Sequence, residues 1–139
     1  MTSKVVKGAY AISRCLQDKL VMGNLDSSRD WGHAKDYVRA MWMILQHHEP
    51  DDFVCATGTS HTVRDLCEYT FKSLDMDYND YVVTSEKYLR PEELECLKGD
   101  STKLRTVLGW EPEYTFESMI DEMIKYEKMS YGGVENEFV

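Results

Sequence analysis

The chain has 139 residues, 42% of them apolar, enough for one domain or part of one with a core of its own. Its net charge of −9 argues against a nucleic-acid backbone as partner. No apolar run reaches membrane-spanning length and no signal peptide opens the chain. The four cysteines lack CxxC spacing and read as reduced core thiols, which points to a cytoplasmic protein.

In chain order, Val5, Ala9, Ile12 and Leu16 recur at helical spacing and predict an amphipathic helix ending near Asp18. Residues 19–22 read as a short strand. They lead into GNLDSSRDWGHAKD, residues 23–36, a polar loop that turns into a helix near Asp36. That helix, 36–46, puts Val38, Met41, Trp42 and Leu45 on one face and stops before Pro50. The unbroken run FVCAT, residues 53–57, predicts a parallel strand buried on both faces. Thr62, with Asp65 three residues on, is a helix cap, and Val63, Leu66, Cys67, Thr70 and Leu74 form that helix's inner stripe. Residues 81–84 read as a strand. Residues 86–99 mix a loop with a helical turn after Pro91. Ser101 caps a short helix closed by Gly109. Thr115 caps the last one, whose apolar positions are Phe116, Met119, Ile120, Met123 and Ile124.

Two kinds of chemistry are missing. No GxGxxG or GxxxxGK turn exists to bring backbone amides onto a phosphate at a helix start, and none of the nine tyrosines has a lysine four residues on. The histidines, His33, His47, His48 and His61, form no i, i+4 pair, and the cysteines have no zinc spacing, so no metal site is expected. What remains is the 23–36 loop, where Arg29 stands near Trp31. An arginine can fork two hydrogen bonds onto a phosphate beside a ring that offers a stacking face. The same residues equally suit a solvated loop plugged by Trp31.

Four stretches carry a resemblance. MGNLDSSRDWGHAKDYVRAMW (22–42) is similar to a signature of GDP-mannose 4,6-dehydratases, extended short-chain dehydrogenase/reductase enzymes that act on nucleotide sugars. DDFVCATGTSHTVRDLCE from Asp51, EKYLRPEELECLKGD from Glu86 and LGWEPEYTFESMIDEM from Leu108 follow in the family's order. The resemblance runs from Thr2 to about Lys128 and looks like the C-terminal part of such an enzyme.

It implies an α/β fold: the C-terminal substrate-binding portion of a Rossmann-type enzyme, helix-rich with a few short strands. Residues 1–129 would be the nucleotide-sugar-binding region and 130–139 a flexible tail. The family's Gly motif, catalytic Thr and Glu and Tyr/Lys pair would all precede Met1, so no catalytic residue is expected here. NADP would belong to the full-length enzyme, with no cofactor on this chain. GDP-mannose would be the ligand and a homo-oligomer the assembly. The family's VTRKI lysine, which contacts the nucleotide sugar, matches Lys4 in MTSKV. Its LGN backbone, at the guanine or ribose, matches Met22, Gly23 and Asn24. Its RDWG arginine, on the diphosphate, matches Arg29, and its RPxE pair matches Arg90 and Glu93. Without the resemblance, Lys4 reads as a solvated lysine, and Arg90 with Glu93 as an exposed ion pair worth roughly a few tenths of a kcal/mol. A stand-alone, non-catalytic nucleotide-sugar-binding or interaction module is the alternative.

Overall fold

The structure, a computed structural model, describes residues 1–88 and 94–132. Among the described residues six helices and five short strands follow one another: α1 (Thr2–Ser13), β1 (Leu20–Met22), β2 (Ser28–Arg29), α2 (Ala34–Gln46), β3 (His61–Thr62), α3 (Val63–Lys72), α4 (Tyr78–Tyr81), β4 (Val82–Thr84), β5 (Cys96–Leu97), α5 (Thr102–Leu108) and α6 (Phe116–Gly132). A 3₁₀ turn, Glu86–Tyr88, follows β4.

The main core forms where α1, α3 and α6 lay their apolar stripes on β1. Val5, Ala9 and Ile12 meet Leu66, Cys67 and Phe71 and the α6 residues Met119, Ile120 and Ile124, over Leu20 and Met22. Apart from Phe71, which joins α3's stripe unpredicted, the helix residues here are those the spacing predicts. Leu16 departs from the spacing and is 66% exposed. α1 ends earlier because Cys15 takes a left-handed φ of 57°. The Cys15 amide donates to Ile12 O and the Leu16 amide to Ala11 O, which closes a Schellman motif and turns Leu16 out of the stripe.

α3 begins with the predicted capping box. Thr62 Oγ1 accepts from the Asp65 amide (3.0 Å) and the Asp65 carboxylate accepts from the Thr62 amide (2.8 Å). α6 starts on an analogous pair, Thr115 with Ser118. α5 departs from expectation. Its first-turn amide, on Thr102, donates to Asp100 Oδ1, whereas Ser101 is buried with its hydroxyl on Arg105 Nε.

β1 and β4 pair in parallel, with Met22 opposite Thr84, so the segments that follow both strands leave the same end of the sheet. β2 stands between β3 (antiparallel) and β5 (parallel). Residues 53–57 form no strand, against expectation, and Val54 is 55% exposed. A parallel strand exists only through its neighbours, and none of the described residues supplies a ladder for this run. Phe53 and Cys55 instead pack with α2's Ala40, Leu104 and Trp110 in a second, smaller core. The α2 face carrying Val38, Met41, Trp42 and Leu45 is exposed; it is the opposite side, with Tyr37, Ala40 and Ile44, that packs. Of the four cysteines only Cys67 is fully buried, and Cys15 and Cys96 are exposed. The predicted turn after Pro91 and most of the predicted tail lie outside the described residues.

Candidate functional site

The two strand ends converge on a cleft of about 510 Å³. It is lined by Met1, Lys4, Met22, Gly23, Asn24, Ser27, Arg29, Trp31, Val63, Lys87 and Tyr88. Five of the residues singled out from sequence, Lys4, Met22, Gly23, Asn24 and Arg29, are thus brought together. The other two, Arg90 and Glu93, lie outside the described residues.

Each reaches the cleft for a local reason. Lys4 sits in the first turn of α1, and its ammonium donates to Val21 O at 2.7 Å. The Met22 side chain is buried in the core, so it offers its backbone, and Met22 O accepts from the Ser85 amide at 2.9 Å. Gly23 lies directly beneath the turn after β4. A Cβ there would stand 2.5 Å from Tyr88 O, and backbone cannot yield. Asn24 shapes the loop, its side-chain oxygen accepting from the Asp26 amide at 2.9 Å. Arg29, on β2, donates from Nη1 to Ser28 O (2.7 Å) and to Leu94 O (2.8 Å), which ties the cleft wall to the segment entering β5.

The rest of the signature is scaffold. Asp30 collects the Thr57 amide (3.1 Å), the Thr57 hydroxyl (2.5 Å) and the Gly58 amide (2.9 Å). Trp31, half-buried, stacks on Phe116 with ring centroids 5.9 Å apart. His33 caps α2: Nδ1 accepts from the Lys35 amide at 3.1 Å, so the proton sits on Nε2 and is donated to Glu122 Oε2, also at 3.1 Å. The Glu122 carboxylate is held below its usual range chiefly by its hydrogen bond from Lys35, which in turn raises the Lys35 ammonium. Beside Asp30, burial and then the Asp30 charge push the Tyr37 hydroxyl up to about 12.

Met1, Ser27, Val63, Lys87 and Tyr88 were not expected in the cleft, and Trp31 was expected only beside Arg29. Lys87 and Tyr88 precede Arg90 in the EKYLRPEE stretch. The parallel register of β1 with β4, which brings them to Gly23, left no mark in local sequence pattern.

Chemically the cleft suits a polyanion. Among its described lining residues Lys4, Arg29 and Lys87 are cationic and none is acidic, on a chain of net charge −9. A family model described as GDP-mannose 4,6 dehydratase matches residues 1–123. The chain belongs to the GDP-mannose 4,6-dehydratase family. It is 44% identical over 124 residues to GDP-mannose 4,6 dehydratase 2 of Arabidopsis thaliana, covering 89% of this chain and 33% of that protein. To the Vibrio cholerae GDP-mannose 4,6-dehydratase it is 38% identical, covering 89% of this chain and 41% of the relative. It therefore spans about a third to two fifths of these family members. Its fold matches the RMD structure from Pseudomonas aeruginosa complexed with NADPH, with a TM-score of 0.80 at 21% identity over 89% of this chain and 41% of that one. It also matches the UDP-glucose 4-epimerase of Thermotoga maritima with UDP-glucose, with a TM-score of 0.76 at 22% identity over 91% of this chain and 40% of that one. These Rossmann-type enzymes share the α/β fold, of which this chain carries a helix-rich part.

Proposed function

We propose that this chain is the nucleotide-sugar-gripping portion of a GDP-mannose 4,6-dehydratase. As a whole such an enzyme converts GDP-mannose to GDP-4-keto-6-deoxy-mannose with NADP. The observation that carries this is the cleft at the shared end of β1 and β4, whose described lining residues include three cations and no acid, in a strongly acidic chain. Ligands of α/β folds enter at the carboxyl ends of parallel strands. A diphosphate is matched there by the Arg29 guanidinium, which can fork, and by the Lys4 and Lys87 ammonium groups. The Gly23–Asn24 backbone is open to the base or ribose, and Arg90 with Glu93 would complete the grip. The four cysteines are unpaired, which supports a cytoplasmic protein.

The start of α3 does not fit a dinucleotide's pyrophosphate. The α3 amides are already taken by Thr62 and Asp65, and a carboxylate at that position repels a pyrophosphate. The start of α3 therefore offers NADP no seat, and the sequence has no Tyr-x-x-x-Lys pair for the chemistry at C4 and C6. With GDP-mannose and NADP the pure chain is expected to leave the sugar intact; a 4-keto-6-deoxy product would contradict this.

Calorimetric titration with GDP-mannose tests the grip. Charge-assisted bonds to phosphate are worth roughly 1.5–3 kcal/mol each, so Arg29→Ala is expected to weaken binding about tenfold or more. Arg29→Lys should restore only part, because a point charge cannot fork. Unchanged affinity in Arg29→Ala would remove Arg29 from the site.

A further inference from the structure

We propose that Tyr88 is a positioning residue, whose ring holds the Lys4 ammonium at the mouth of the cleft where the diphosphate of a nucleotide sugar enters. The assignment rests on the nucleotide-sugar reading of the cleft.

Lys4 Nζ stands 4.8 Å from the Tyr88 ring centroid while it donates to Val21 O at 2.7 Å. An ammonium within about 6 Å of a ring face is drawn to it. A lysine held by a carbonyl on one side and a ring on the other has already lost rotamer freedom that a loose one would lose on binding. Its remaining hydrogens are left for an anion.

The ring's placement is built by backbone. Ser85 N donates to Met22 O at 2.9 Å and Tyr88 N to Ser85 O at 3.1 Å, so the Glu86–Tyr88 turn is hung on the end of β1. Gly23 then lets this turn settle: an added Cβ would meet Tyr88 O at 2.5 Å and Tyr88 C at 3.0 Å. Gly23 thus serves the family's ligand through Tyr88 as well as by exposing its own backbone. Tyr88 is 52% exposed, so its substitution removes little core packing.

A double-substitution cycle with GDP as the calorimetric probe tests this. Tyr88→Leu is expected to weaken GDP about three- to fivefold, and Tyr88→Phe, which keeps the ring, to bind like the parent. In a Lys4→Met background Tyr88→Leu should cost nothing further. With lysines reductively methylated using a ¹³C label, the Lys4 methyl resonance should show a ring-current displacement in the parent and in Tyr88→Phe, and lose it in Tyr88→Leu and in Gly23→Ala. Additive losses, or a Phe variant as weak as the Leu variant, would overturn the role of Tyr88 and leave the cleft's assignment standing. A parent chain that shows the displacement but binds no GDP would overturn the nucleotide-sugar reading, and this proposal with it.

Discussion

Asp36→Ala is expected to lower the unfolding free energy by about 3 kcal/mol, seen as a fall in Tm of roughly 10 °C. Asp36 is 2% exposed, yet it is the hub between α2 and the segment before α6. Oδ1 accepts from the Glu113 amide at 3.0 Å and from Arg39 Nη2 at 3.2 Å, and Oδ2 from the Tyr114 amide at 3.1 Å. Its main-chain carbonyl takes the indole N–H of the fully buried Trp110 at 3.0 Å. Truncation would orphan two amide donors in a place water reaches poorly, and each lost bond to a charged acceptor is worth roughly 1.5–3 kcal/mol. Against a total of about 5–15 kcal/mol for a domain, that is a large share. The pH dependence has a defined sign. Burial pushes the Asp36 carboxyl up, but the Glu113 and Tyr114 amides and Arg39 outweigh it and hold the group below its ordinary value. Its contribution is therefore complete above the unfolded-state value of about 3.9 and fades as the pH falls through that value and then the folded one. Asp36→Asn should flatten the acid limb of the stability curve below about pH 4. A variant as stable as its parent, with the same acid limb, would contradict the hub role.

Self-association is the second large expected effect. Val38 (62% exposed), Met41 (61%), Trp42 (63%) and Leu45 (80%) form one apolar stripe on α2 that no described residue covers. Covering each such side chain is worth roughly 1.5–3 kcal/mol. The spacing is symmetric about the midpoint of Met41 and Trp42, so two antiparallel copies of α2 would set Val38 against Leu45 twice. A two-fold contact requires that reciprocity. At tens of micromolar, light scattering is expected to give a mass above the 16.2 kDa of one chain, and Trp42→Glu should return it to that mass. A monomer with no dye-binding apolar surface would rule the contact out.

Sequence pattern made the helices legible because their burial periodicity and caps are local. Val5, Ala9 and Ile12, the Thr62–Asp65 box and Gly109 in its left-handed cap all stand where spacing placed them. Leu16 was misread because the stop signal sat on Cys15, a residue type that seldom takes positive φ. The 53–57 run looked like a central strand because apolar content was taken for pairing, and pairing depends on what lies alongside. The same blindness hid Lys87 and Tyr88, which join the cleft only through the register of β1 on β4. Lys4's place in the cleft was legible through the family's motif alone, and Arg29 had only its position near Trp31 besides; residue type and spacing do not otherwise separate a cleft-lining cation from a solvated one.

The polar clasps within the signature also govern how the chain can fold. Asp30 reaches Gly58 across 28 residues, Asp36 reaches Glu113 across 77, and His33 reaches Glu122 across 89. Entropy lost in closing a loop grows only logarithmically, about 0.6 kcal/mol per doubling, so the longer clasps are not much costlier than the shortest. They are slower to find, because distant contacts reward the chain only after the search is complete. The loop that shapes the cleft should then order late in refolding, along with the seating of α6 on α1, which joins stretches of the chain farther apart still.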